Sequence, residues 1–130
     1  MRRVLTSPHL PAPRFRYSQI VQTGPFFHFA GMVGLDKDTG GLVSGGPGAE
    51  TEQILDNMIR ALPDLRLTLD HLVHVTIYTT AFDAFAEINR AWDAVFDANT
   101  TPPARTAAGV SRLPLDASVE MVFQFYKAGA

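Results

Sequence analysis

Leu72-Val73-His74-Val75-Thr76-Ile77-Tyr78 decides the fold. Successive side chains of a strand point to opposite faces. Val73, Val75 and Ile77 therefore share one side, and His74, Thr76 and Tyr78 the other. Downstream the apolar period lengthens to three and four. Phe85, Ile88, Trp92, Val95 and Phe96 predict an amphipathic helix that Asp83 can cap and that Asn99-Thr100-Thr101-Pro102-Pro103 ends. Arg105 to Val110 is a short strand candidate, and Leu113-Pro114-Leu115-Asp116 a turn. Val119 to Tyr126 predicts a last strand, with Val119, Met121, Phe123 and Phe125 on one face and Glu120, Val122, Gln124 and Tyr126 on the other.

Upstream, a helix starts near Ala49. Ile54, Leu55, Met58, Ile59 and Leu62 form its apolar stripe, Glu50 and Glu52 suit its positive end, and Pro63 bounds it. Prolines 8, 11, 13 and 25 keep the N-terminal segment extended or looping. Within it, Tyr17 to Gln22 and Phe26 to Ala30 read as strands joined by Thr23-Gly24-Pro25. Asp36-Lys37-Asp38-Thr39-Gly40-Gly41 is a strong turn signal. The order β-β-α-β-α-β-β predicts a two-layer α+β fold, a mixed sheet with two helices on one face. The other face mixes Glu120 and Gln124 with Val122 and Tyr126, too apolar for water and too polar for a monomer core. Subunit contact is the expected cover.

The 130 residues suit one domain, 1–130, by the rule of roughly 150 residues per domain. Hydrophobic residues make up 46% and charged residues 18%, which excludes a disordered chain. A net charge of −2 offers no basic surface to a phosphate backbone, so nucleic-acid binding is not expected. The absence of cysteine excludes disulfides, thiolate nucleophiles and Cys-based zinc sites. Only Val4 and Leu5 follow Met1-Arg2-Arg3 before Thr6-Ser7-Pro8, too little for a secretory segment. The apolar run Pro25–Leu35 is far short of a membrane span. A soluble, cytoplasmic protein is expected.

Common chemical motifs are missing. Gly45-Gly46-Pro47-Gly48 lacks the Lys and Ser/Thr of a phosphate cradle and reads as a loop leading into a helix. His71 and His74, three apart on one strand, face opposite sides, and His9 and His28 lie elsewhere; a metal centre is not expected. Two groups stand out. Arg105 follows Pro102-Pro103-Ala104, which restrict the backbone and aim a guanidinium suited to a carboxylate. Glu120 is an ionisable group in an otherwise rather apolar strand and could orient water or exchange a proton. The plainer reading makes Arg105 a loop residue and Glu120 a solvated or structurally paired carboxylate. Tyr17, in the Pro-rich loop, either closes a pocket or packs with its hydroxyl satisfied.

Tyr17-Ser18-Gln19, Phe29-Ala30-Gly31, Leu35 to Gly40, Glu52-Gln53 leading to Asn57, Phe85 to Asn89, Pro103-Ala104-Arg105-Thr106 and Leu113-Pro114 before Val119-Glu120-Met121 run in order over nearly the whole chain. In this the sequence resembles the Rid (YjgF) family of reactive-intermediate deaminases. The resemblance implies a chorismate-mutase-like (bacillus-type) fold and a homotrimer with pockets between neighbouring subunits. It also implies substrates: enamines and imines such as 2-aminoacrylate and 2-iminobutyrate, hydrolysed without cofactor or metal to 2-keto acids and ammonia. Carried onto this chain, Arg105 clamps the substrate carboxylate and Glu120 orients water or transfers a proton. Tyr17 lines the pocket, and the backbones of Gly31 and Ala107 supply hydrogen bonds. Ala30-Gly31-Met32 stands where the family often has Ser-Gly-Gln, and Arg16 adds a charge near the entrance, which bears on substrate range. A trimer that binds small carboxylates without turnover is the alternative. The ribonuclease activity sometimes attached to the family is disfavoured by the charge.

Overall fold

The computed structural model describes residues 1–130. Its strands are β1 (Arg2–Leu5), β2 (Ile20–Thr23), β3 (Phe26–Phe29), β4 (Leu72–Thr79), β5 (Ala104–Gly109) and β6 (Val119–Tyr126); its helices are α1 (Gly46–Ala61) and α2 (Phe85–Val95). They form one six-stranded sheet in the order β1-β2-β3-β6-β4-β5, antiparallel except where β5 runs parallel to β4. A parallel neighbour needs a crossover, and α2 is that crossover. Both helices lie on one face, as the two apolar stripes require. There Ile54, Leu55 and Met58 of α1 and Ile88 and Trp92 of α2 pack with Val75, Ile77, Met121, Phe123 and Phe125 of the sheet in one cluster. Fully burying a side chain of this size contributes about 1.5–3 kcal/mol.

The predicted order holds, with differences of detail. Strand β1 was not anticipated; Arg2-Arg3-Val4-Leu5 pairs with β2 at the sheet edge and shows no alternating burial for a pattern to reveal. Of the predicted Tyr17–Gln22 strand only Ile20–Gln22 is paired, and the strand runs on to Thr23, expected as part of the turn. Val73 does not join Val75 and Ile77, because an irregularity between Leu72 and His74 turns it outward, 40% exposed, while Leu72 takes the buried place. His71 belongs to the turn before β4, where its Nδ1 accepts the Thr68 N–H at 2.9 Å. Asp83 does not cap α2; a short 3-10 turn, Phe82–Ala84, precedes the helix. Helix α1 begins at Gly46, so Glu50 lies beyond its first turn and is buried.

The sheet face away from the helices is open. One row crosses all six strands, Val4–Val21–His28–Gln124–His74–Ala104. His28 Nε2 lies 3.2 Å from Thr23 Oγ1, and His74 Nε2 lies 3.0 Å from Thr106 Oγ1. Val4, Phe26 and Tyr126 are exposed on this face, with Phe26 and Tyr126 packed edge to face at 5.1 Å. No helix is long and apolar enough to cross a membrane.

Candidate active site

Glu120 rises from β6 onto the open face beside Tyr78 of β4. Its neighbour across the strand end is Gly31, just past β3. Two backbone bonds hold that segment to β6: Met32 N–H to Met121 O at 2.8 Å, and Met121 N–H to Met32 O at 2.9 Å. The approach is so close that a Cβ on Gly31 would lie 2.8 Å from Glu120 Oε2 and 3.0 Å from its Cδ. Glycine at position 31 is thus what leaves the carboxylate its place. Gly31 itself takes part in no backbone–backbone hydrogen bond. The Glu120 carboxyl is half-buried, and burial alone pushes its pKa above the ordinary value, with no neighbouring cation to offset it.

The carboxylate opens into a cavity of about 460 Å³. Leu10, Phe15, Tyr17, Ala30, Met32 and Leu115 form much of its wall. Phe15, Tyr17 and Leu115 are 82%, 52% and 45% exposed, an apolar rim on the protein surface. The wall from residue 10 to 17 has no regular structure, yet it is fixed. Gln19 accepts the Ser7 N–H at 3.0 Å through Oε1 and donates from Nε2 to Leu10 O at 3.2 Å and Pro11 O at 2.8 Å. Ser7 Oγ in turn donates to Asp64 Oδ2 at 2.8 Å. Arg14 also lines the cavity and donates from Nη2 to Gly40 O at 3.2 Å. The turn offering that carbonyl is stiffened by Asp36 Oδ1, which accepts the Asp38 and Thr39 N–H groups at 2.8 and 3.0 Å. The bond from Thr39 foremost, then that from Asp38, holds the Asp36 carboxyl below its ordinary pKa.

Arg105 is elsewhere. It sits on edge strand β5 opposite Val75, on the helix side, whereas Thr106 and Glu120 face the open side. Its guanidinium stacks over Trp92 at 5.0 Å and Phe85 at 5.5 Å. No carboxylate lies within ion-pairing distance of it; the ion pairs are Arg60–Asp56 and His9–Asp64. Within one chain the structure therefore brings Glu120, Gly31 and Tyr17 to one cavity, and leaves Arg105 and Ala107 on the outer strand, outside it. The intrachain pairing of Arg105 with Glu120 does not occur. Gly45-Gly46-Pro47-Gly48 opens α1, with Gly45 at a φ of 113°. No cluster of three or more metal-ligating side chains forms.

Sequence reasoning missed three contributors. Arg14 and Leu115 lie in segments without periodicity, and nothing local marks them as cavity residues. Glu50 was read as a helix-end charge. Its carboxylate instead reaches the start of β6, accepting the Ser118 N–H at 2.8 Å, the Ser118 hydroxyl at 2.5 Å and the Val119 N–H at 3.3 Å. It thereby anchors the backbone immediately before Glu120. Gly34 permits this packing, since a Cβ there would come within 2.9 Å of Glu50 O.

The sequence model of the family described as Endoribonuclease L-PSP matches residues 7–124. A RutC family protein of Pyrococcus abyssi is 32% identical, covering 97% of this chain and 98% of its own. A protein of Homo sapiens named 2-iminobutanoate/2-iminopropanoate deaminase is 31% identical over 93% of this chain and 87% of its own. Among solved structures, the Rid-family protein YyfA of Yersinia pestis superposes with a TM-score of 0.91 at 28% identity, covering 98% of this chain and 100% of that one.

Proposed function

This chain belongs to the Rid (YjgF, endoribonuclease L-PSP) family, and on that premise we propose that it hydrolyses imines of 2-keto acids without a cofactor, in pockets shared between copies of itself. The observation that carries the reading is Glu120: a carboxylate with raised proton affinity, held against Gly31 at one wall of an apolar cavity. Within one chain the cavity's only cation is Arg14, which is turned to Gly40 O. Arg105 is an exposed, unpaired guanidinium on a sheet edge, and a second copy docked on the open face can bring it to the cavity mouth. In a closed ring of three copies every cavity would receive one Arg105.

The chemistry follows from these groups. Arg105 of the second copy holds the substrate carboxylate through two parallel N–H···O bonds. Backbone groups of Gly31 and of the second copy's Ala107 orient the C=N unit, and Tyr17 closes the side. An enamine first gains a proton at its terminal carbon and becomes the imine. Glu120 then draws a proton from water as the water oxygen bonds to the electrophilic carbon. The carbinolamine nitrogen is protonated, the C–N bond breaks, and ammonia leaves as the carbonyl forms. One water is consumed for each keto acid and ammonia released. Positioning and proton transfer suffice, because the imine carbon is already electrophilic.

The family model's description as an endoribonuclease does not transfer readily. With a net charge of −2 the chain has no electrostatic footprint for a polyanion. The test is hydrolysis of 2-iminobutyrate generated in situ by an amino-acid oxidase, read as keto acid and ammonia. Wild-type protein should accelerate it, Arg105→Ala should reduce kcat/KM by at least about tenfold from the lost charged contact, and Arg14→Ala should reduce it less. No acceleration by wild type refutes turnover. Keto-acid binding lost in Arg105→Ala, with no turnover at all, would mark a binding protein instead.

A further inference from the structure

We infer that the Glu120 cavity takes imino acids with a large apolar side chain, of the leucine or phenylalanine kind, in preference to the small imines; the inference rests on the deaminase reading above. The first reason is size. The share of the site that one copy supplies bounds about 460 Å³, within the range that holds ligands much larger than the imine of alanine, which has only about six non-hydrogen atoms. The second is the wall. Leu10, Phe15, Ala30, Met32 and Leu115 offer carbon and a thioether but no strong hydrogen-bonding side-chain group.

The third reason is that, of the four polar side chains on the wall, Gln19 is committed and Arg14 partly so, while Tyr17 stands at the exposed rim. The Gln19 amide spends its oxygen on Ser7 N–H and its nitrogen on two carbonyls. Arg14 is turned to Gly40 O. Glu120 is reserved for water. A substrate side chain carrying a hydroxyl or amide would lose its hydration and meet only the Tyr17 hydroxyl and the remaining Arg14 N–H groups, both on solvent-exposed residues, whereas each added methylene gains burial. Phe15 and Leu115 extend the apolar wall to the exposed rim, where such a side chain would meet them.

The experiment measures kcat/KM for imines generated by L-amino-acid oxidase, with its flavin and oxygen, from alanine, glutamine, leucine and phenylalanine. Leucine and phenylalanine imines should exceed the alanine imine by about tenfold or more, as methylene-sized differences do in apolar pockets. The glutamine imine, similar in bulk to the leucine imine but polar, should fall with alanine. Phe15→Ala, in an exposed loop where folding is not at stake, should shrink the preference several-fold. Met32→Gln gives the same readout from the buried wall. Equal rates across the series, or a preference unchanged in both variants, overturns the inference while leaving the deaminase reading intact. Failure on every imine refutes the deaminase reading itself.

Discussion

At position 31 a single methyl group decides where a carboxylate can sit. Gly31→Ala places a carbon 2.8 Å from the present site of Glu120 Oε2, so the flexible glutamate must swing away. Imine hydrolysis should fall about a hundredfold, as misplacement of a reacting group by an ångström does, while the urea midpoint moves little. Glu120→Gln should lower kcat by about 10²-fold or more and KM much less. The raised pKa also fixes two signs. If Glu120 is the proposed base, its carboxylate forms only above the ordinary Glu range, so kcat/KM should drop as pH falls through the shifted value. Folded protein binds this proton more tightly than unfolded protein does. Its contribution to stability is full below the unfolded pKa and is lost as pH rises through the folded one. Glu120→Gln should therefore melt higher than wild type at pH 7, with the gap closing near pH 4. Glu120 was legible in the sequence because a charge interrupts an apolar strand. Arg14 and Leu115 were not, since they meet it only through a turn at Asp36 and a left-handed backbone at Leu115.

Elements were legible wherever one face is buried and the other is not. The stripes of α1 and α2 and the alternation of β6 follow from that contrast. Where an element is exposed throughout, as in β1, or carries an extra residue, as β4 does after Leu72, the period vanishes. Joints between elements escaped for another reason: their residues are polar but buried. Glu50 links α1 to the start of β6 through three donors. Glu50→Ala would leave the Ser118 and Val119 N–H groups unpaired, costing about 2–3 kcal/mol in urea denaturation. Glu50→Gln, whose amide oxygen can still accept from the backbone, should recover most of it. Asn57 plays the same part for the next segment. Its Nδ2 donates to Leu35 O at 2.9 Å, and its Oδ1 accepts from Gln53 and Arg60, each at 2.8 Å.

The whole molecule leaves one sheet face and two strand edges, β1 and β5, uncovered, and the proposed ring of copies would use the face and the β5 edge. If each pocket takes Glu120 from one copy and Arg105 from the next, two impaired variants should complement. Arg105→Ala and Glu120→Gln, unfolded together and refolded at equal amounts, should regain about a quarter of the wild-type sites by random assembly around a closed ring. Light scattering should give three protomers for each variant alone. Absence of any regain, with mixed rings demonstrated by mass, would assign Arg105 no part in the site. The two-layer fold and the half-polar face were readable from the strand pattern. The separation of Arg105 from Glu120 was not, because residue types say nothing about which side of an edge strand faces a helix.

Trp92 is the sole indole in the chain, and it lies beneath the Arg105 guanidinium at 5.0 Å. A cation over the ring is held by its electron-rich face. Drawing that cation toward an incoming anion would change the field on the indole, so the protein carries a native fluorophore for occupancy. Titrating pyruvate or 2-oxobutyrate should shift or quench the emission along a saturable curve, and Arg105→Lys should flatten it. Occupancy could then be followed by light alone, in stopped flow, with no label attached and no turnover required.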